Sequence, residues 1–484
     1  VPKAIPWAEA RRLDRNAAEL GVPVADLMAR AGKALAAEVL RIAPPGDIVL
    51  LCGKGNNGGD GLAAAALLQR QGRRAWAVLA EPRAAFQGPG AGYLGHLQED
   101  TVVTWAGKPD PAWAAAPTVV DCLLGSGLKG VPRGPYASML RWLKARKDAV
   151  RVACDLPSGL GTAMAVRPDA TVTFHAPKEG MAAANAGRIV VADIGVPPAA
   201  ADVGVGDLHE GWIARRADSH KGDNGVVLVV GGSLPLVGAP YYSAMAAYRT
   251  GADLVHCVAP ADAAAVMRNW GPHAIVHDGN PGRHLTPTAL QPLRRLLPKS
   301  TALLLGPGLG HDPESIALAH GALATAAQAR KPTVVDADGL DALSPALFRS
   351  HGRRMVLTPH AREFLDLSGR EATPANVQAY ARRHGVVVMC KGVLGKGHAN
   401  LVTDGARARF CRRGHPTLTV GGTGDVLAGI TAQLLAVGSK PFEAAAAAAY
   451  LLGAAGEIAA ALRGDGALAT DVAEAIPAVV ARLA

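Results

Sequence analysis

Aromatic side chains make up only 4% of this 484-residue chain, and its cysteines number six. No two cysteines are spaced as CxxC, which removes zinc-ribbon and thioredoxin-like pairs from consideration. The six, at positions 52, 122, 154, 257, 390 and 411, sit in or beside apolar runs, as buried thiols of a reducing compartment do. No His/Cys constellation suits zinc. No apolar run of membrane-spanning length is expected, and the opening VPKAIPWAEARRLDRNAAELG has no secretory h-region. A cytoplasmic protein without a membrane partner is therefore expected. A concentrated basic patch is also missing. The formal charge is +10, but the densest clusters, RWLKARK and RRH, fall where helices are expected and read as solvated faces, which argues against a nucleic-acid partner.

Alanine and glycine take the place of aromatics, a composition suited to helices packed closely on sheets. With 49% hydrophobic residues the chain is globular, and its length exceeds one ordinary core, so two or more domains are expected. The first half opens with helices over about 9–20 and 23–41. Strand-like runs DIVLLC, RRAWAVLA, PTVVDCLL and AVRVACDLP then alternate with helical GLAAAALLQRQG and GPYASMLRWLKARK, which predicts parallel strands joined by crossover helices. A proline-, glycine- and aspartate-rich stretch marks a boundary near residue 206, giving domains 1–206 and 207–484. Beyond it come NGVVLVVGG, ADLVHCVAP, TALLLGPG, KPTVVDADG, RRMVLTPH and GVVVMCKG, then a mostly helical tail. The halves show no mutual repeat.

Ligands of parallel α/β folds gather at the carboxyl ends of the strands. Directly after DIVLLC stands GKGNNGGDG, whose glycines can turn tightly and let a ligand approach the backbone, with a helix expected from the DGLAAAALL that follows. The GxGxxG spacing alone is weak, and no acidic residue ends the next strand to hold a ribose. Two further strand ends carry Asp121, and Asp155 with Ser158. With Asn56 or Asn57 they form an oxygen-rich set able to hold a hard cation or move a proton.

The segments LDRNAAELGVPVADLMARAG, GKGNNGGDGLAAAALL, VVDCLLGSGLKGVPRGPY and DLPSG…KEG…GRIVVADIGVP, in that order, resemble the YjeF N-terminal domain, the NAD(P)H-hydrate epimerase family, over about residues 9–197. The resemblance implies a Rossmann-like three-layer αβα domain that interconverts the R and S hydrates of NADH and NADPH with a bound potassium ion. It implies that Asn57, Asp121 and Ser158 hold the potassium. Asn56, Asn57, Gly58, Gly59, Asp60, Gly125, Ser126, Gly127, Leu128, Lys129, Gly130, Val131 and Asp155 would contact the hydrated nucleotide, with Asp155 as the acid/base group. Ala29 stands where the family usually has glutamate, and the segment after Ser158 is shorter than usual.

In the second half, VGGTGDVLAGITAQLL is a glycine-rich turn running into a helix, with Asp425 in its first turn. Amides there suit a phosphate, and the carboxylate can deprotonate a hydroxyl. Lys391 in VMCKGVLGKG could meet a phosphate, and His360 in TPHAREF a substrate. These motifs resemble the YjeF C-terminal, ribokinase-like domain, the ADP- or ATP-dependent NAD(P)H-hydrate dehydratase, from about residue 220 to the end. The resemblance implies that the nucleotide phosphorylates the hydroxyl of the S hydrate, after which phosphate leaves. It implies Asp425 as base, nucleotide contacts from Lys391, Gly392, Val393, Leu394, Gly395 and Gly424, and hydrate contacts from Gly310, His360 and Asp425. Gly395 replaces the usual threonine. Magnesium is expected with the phosphates, although no carboxylate cage for it stands out. A homo-oligomer acting on small molecules is expected. Two other readings stay open: a ribokinase-like small-molecule kinase, which would accumulate a phosphorylated product, and a first domain that only binds nucleotide.

Overall fold

The computed structural model describes residues 3–125, 127, 130–393 and 399–483. Contacts divide the chain into two compact units, Val1–Ala200 and Ala201–Ala484. The division falls before the compositional boundary near 206 because the intervening segment is tied to the second unit. Val203 N–H donates to Phe410 O at 2.8 Å, and buried Asp207 pairs with Arg409 at 2.6 Å.

In the first unit, helices α1 (Trp7–Glu19) and α2 (Val24–Ile42) precede a sheet of seven parallel strands. These are β1 Ile48–Cys52, β2 Ala75–Leu79, β3 Val102–Thr104, β4 Thr118–Cys122, β5 Val150–Cys154, β6 Ala170–Phe174 and β7 Arg188–Ala192, in the order β3-β2-β1-β4-β5-β6-β7. Helix α3 (Asn56–Arg70) follows β1. Alternate residues of β1 face opposite cores. Ile48, Leu50 and Cys52 pack with residues of α2 and α3, while Val49 and Leu51 join Trp76, Trp105, Trp113 and the helix Gly134–Ala145. Burial on both faces is why these strands read as continuous apolar runs. The strand order reverses between β1 and β4, so GKGNNGGDG and Asp121 stand at the switch point, where parallel sheets open a crevice.

The second unit has nine strands: β8 Val226–Val230, β9 Leu254–Ala259, β10 Ile275–Asp278, β11 Ala302–Leu305, β12 Thr333–Val335, β13 Met355–Leu357, β14 Val387–Cys390, β15 Asn400–Thr403 and β16 Ala408–Cys411. Their order is β10-β9-β8-β11-β12-β13-β14-β15-β16, parallel except for β15 and β16, which add an antiparallel edge. The tail supplies helices Thr423–Ala436, Pro441–Arg463 and Ala469–Val480. Contrary to the sequence expectation, the stretch Pro441–Gly466 is long and apolar enough to cross a membrane. Most of it is buried instead in this unit's core, where Ala444 to Ala449 are at most 1% exposed. Its alanines permit close packing on neighbouring helices, which accounts for an apolar run of that length in a globular unit.

Candidate active sites

GKGNNGGDG works differently from the sequence expectation. The helix begins at Asn56, with Gly55 as its cap, so Gly58, Gly59 and Gly61 lie inside α3. None of the motif's glycines adopts a positive φ. Gly53, Gly58, Gly59 and Gly61 are bare because other atoms fill the space of a Cβ, whereas Gly55 meets nothing within 4 Å. At Gly58 it would stand 1.6 Å from Gly53 O, at Gly53 2.0 Å from Leu123 O, at Gly59 2.6 Å from the Met28 Cε, and at Gly61 2.7 Å from the Cys122 Cβ. The glycines draw α3 against β1, β4 and α2, and this places Asn57 at the sheet's switch point.

Asn57 is buried, and among the described residues neither its Oδ1 nor its Nδ2 has a hydrogen-bond partner. Such an orphaned amide costs roughly 1–3 kcal/mol unless something meets it. Gly125 lies close by, its missing Cβ 3.3 Å from that of Asn57. Asp121 and Ser158 are buried and joined directly: Ser158 Oγ donates to Asp121 Oδ1 at 2.6 Å and Ser158 N–H to Oδ2 at 2.8 Å. Burial still pushes the Asp121 carboxyl up against these bonds. An unsatisfied amide oxygen, a buried carboxylate and a hydroxyl make a donor set suited to a hard monovalent cation.

A cavity of about 550 Å³ opens beside Asn57. Asp155 stands on its wall with φ +61°, a left-handed conformation costing a non-glycine residue on the order of 1–3 kcal/mol, which such sites retain for function. Its Oδ1 takes an ion pair from Lys178 and accepts from Phe174 N–H at 3.2 Å. Lys178 is buried, and its Nζ also donates to Phe174 O at 2.9 Å and Thr173 Oγ1 at 3.2 Å. Of the residues expected to contact the nucleotide, Asn56, Asn57, Asp60, Gly125, Gly127 and Asp155 line the cavity. Gly58, Gly59, Gly130 and Val131 are not among the lining residues, and Val131 is 55% exposed. Ser126, Leu128 and Lys129 lie outside the described residues. Sequence reasoning missed Lys178, Asp14 and Tyr136, which share the cavity from an irregular loop and two helices. Each lies in a segment already quoted, Asp14 in LDRNAAELG, Tyr136 in VPRGPY and Lys178 in KEG, but nothing in those segments singled it out.

In the second unit Asp425 lies in the first turn of Thr423–Ala436, after Gly422 at φ +96°. A Cβ on Gly424 would stand 3.3 Å from Lys391 Nζ, so the lysine reaches the helix start. Lys391 donates to Asp336 Oδ1 at 3.2 Å, and Thr358 Oγ1 donates to the same oxygen at 2.6 Å. Burial pushes Asp425 up to about 7; Asp336 adds to the shift and Lys391 opposes it. Burial works against the charge of Lys391, but Asp336, Glu363 and Asp425 outweigh it and push the ammonium up. Gly310, at φ +81°, donates its N–H to Asp338 Oδ2 at 2.8 Å. His360 caps Ala361–Ser368: its Nδ1 accepts from Glu363 N–H at 3.0 Å while its own N–H donates to the Glu363 carboxylate. Asp336, Asp338 and Glu363 form the carboxylate cluster that sequence reasoning did not find, because they end different segments of the chain. Gly392 makes the turn after β14 at φ +66°, but the Val393 side chain is in the core, not facing outward for a nucleotide. Leu394 and Gly395 lie outside the described residues.

Two α/β units with parallel-rich sheets, each with buried carboxylates gathered at strand or helix ends, define a two-domain enzyme with a candidate site in each unit. The pattern of the family described as NAD(P)H-hydrate dehydratase matches residues 227–478, and that of the YjeF-related protein N-terminus matches 24–180. A bifunctional NAD(P)H-hydrate repair enzyme of Hyperthermus butylicus is 38% identical over 98% of this chain and 92% of its own. One of Pyrobaculum aerophilum is 39% identical over 97% of each. A solved ribokinase-like superfamily protein of Enterococcus faecalis is 27% identical with TM-score 0.50, covering 57% of this chain and 94% of its own. The chain belongs to the family of bifunctional NAD(P)H-hydrate repair enzymes.

Proposed function

We propose that this chain repairs hydrated nicotinamide cofactors in two steps. The first unit interconverts the R and S hydrates of NADH and NADPH, and the second dehydrates the S hydrate at the expense of ADP or ATP. The observation that carries the reading is the presence, in one chain, of both acid/base sites with the matches to both families. In the second unit Asp425, at a helix start beside Lys391, deprotonates the hydroxyl that takes the phosphoryl group. Lys391 neutralises the nucleotide's phosphates, and helix amides beside Gly424 meet them. Gly310 and His360 face the hydrate. In the first unit Asp155, oriented by Lys178, moves the proton that breaking and remaking the hydrate's C–O bond requires.

Asn57, Asp121 and Ser158 would hold potassium, an assignment supported by the orphaned amide of Asn57. The ion would supply fixed positive charge beside the substrate. Asp336 and Glu363 would take magnesium, which would screen the phosphates. Gly58 and Gly59 act through packing, and Asp60 contributes from the cavity wall. A cytoplasmic homo-oligomer is part of the same reading, checked by light scattering.

The test supplies the separated S hydrate of NADH with ADP, ATP or neither, plus potassium and magnesium, and follows the returning dihydronicotinamide absorbance. Nucleotide-dependent recovery is expected, and the R hydrate is expected to recover only after epimerisation. A stable phosphorylated product without cofactor return would instead identify a small-molecule kinase.

A further inference from the structure

Three carboxylates, Asp14, Asp60 and Asp155, line the epimerase cavity with one buried lysine, Lys178. Lys178 is committed: its Nζ is shared among Asp155, Thr173 and Phe174 O. Asp60 is embedded in the packed start of α3. Asp14 differs from both. It comes from α1, a separate wall of the cavity, and its carboxyl has no hydrogen-bond partner among the described residues.

The chemistry calls for two groups. Water adds to a dihydronicotinamide across its enamine double bond, so the hydroxyl stands on the ring carbon bonded to nitrogen. Inversion there means breaking that C–O bond and remaking it on the other face, with one proton delivered and one removed.

Resting on the epimerase reading above, we propose that Asp14 is the second catalytic residue of this site, exchanging protons with the substrate oxygen on one face while Asp155 serves the other. Asp14 gives its proton to the hydroxyl, and the C–O bond breaks with its electron pair going to oxygen, so water leaves. The ring nitrogen's lone pair forms a C=N⁺ bond. Water then adds to the opposite face, the C=N electrons return to nitrogen, and Asp155 takes the proton. One proton has moved from Asp14 to Asp155, and exchange with solvent restores it. The reverse direction uses the same pair with roles exchanged, so the active form always holds a single proton on the two carboxyls.

The electrostatics agree with this division. Burial pushes Asp14 up to about 6, Asp155 adds to the shift, and Lys178 and Arg15 pull it down. Arg11, Lys54, Asp60 and His175 also face the cavity. Two carboxyls in one site, one ion-paired and one driven toward its neutral form, are suited to acid and base roles.

The test uses the full chain with the R hydrate of NADH and no nucleotide, so that only epimerisation is read, above the rate without enzyme. Wild-type kcat/KM is expected to fall as pH rises through about 6. Asp14→Asn is expected to lower it by about 10²–10⁴-fold and to abolish that fall, while Asp14→Glu restores both. An unchanged fall in Asp14→Asn, or equal inactivity of both variants, overturns the proposal. Absence of epimerisation by the wild type would instead overturn the underlying epimerase reading.

Discussion

Lys391 Nζ stands 3.2 Å from Asp336 Oδ1, and Asp425 lies in the field of both. The lysine lowers and Asp336 raises the proton affinity of Asp425, on top of a burial effect that brings it to about 7. Asp425 acts as base only when ionised, so the dehydration rate should rise with pH through about 7 and level off above. Lys391→Ala removes the lowering influence and should move that midpoint upward while raising KM for the nucleotide. A pH–rate profile of the variant at saturating S hydrate checks both effects.

The same shift affects stability. Asp425 binds its proton more tightly folded than unfolded, so its contribution is present below pH 3.8 and lost as pH rises through about 7. Asp425→Asn should therefore be more stable than the wild type above pH 7, by about 1–3 kcal/mol, with little difference near pH 4. Thermal unfolding of the second unit at the two pH values measures this. A gain in stability at the expense of activity is common where a site holds strained charge.

Gly58→Ala would place a Cβ 1.6 Å from a backbone oxygen, where no side-chain movement relieves it. The expected cost is about 3 kcal/mol or more, with loss of epimerisation. Gly95→Ala meets nothing within 4 Å and should leave both properties unchanged. Parallel melts and R-hydrate assays compare the pair.

Potassium should raise the melting temperature of the first unit in a saturable way, with lithium much weaker. Asn57→Ala should abolish the dependence, since it removes the member of the proposed set whose side chain has no hydrogen bond among the described residues. Differential scanning calorimetry with potassium or lithium chloride at fixed ionic strength separates binding from screening.

Much of this was legible in the sequence. Strands with continuous apolar runs, such as Ile48–Cys52 and Val226–Val230, were evident because both their faces are buried. The short or less apolar Val102–Thr104, Ala170–Phe174 and Arg188–Ala192 were not, nor was the antiparallel edge at Asn400–Cys411, since pairing supplies what local pattern lacks. Residues adjacent to glycine-rich turns, Asn57 and Asp425 among them, were found. Lys178, Asp14, Asp336 and Glu363 stand in quoted segments, but only tertiary folding brings them to their sites. The glycine motif was recognised but its cause was not: at Gly53, Gly58, Gly59 and Gly61 close approach of neighbouring atoms, not turning, requires it.

All six thiols are buried, with Cys52, Cys122 and Cys154 side by side on β1, β4 and β5 and the other three in the second unit. A thiol reagent can therefore label only molecules that have opened, and digestion into peptides tells which unit opened. The protein thus carries a built-in clock for each half, three marks apiece, which needs no engineered probe to follow how cofactors or ions hold either unit shut.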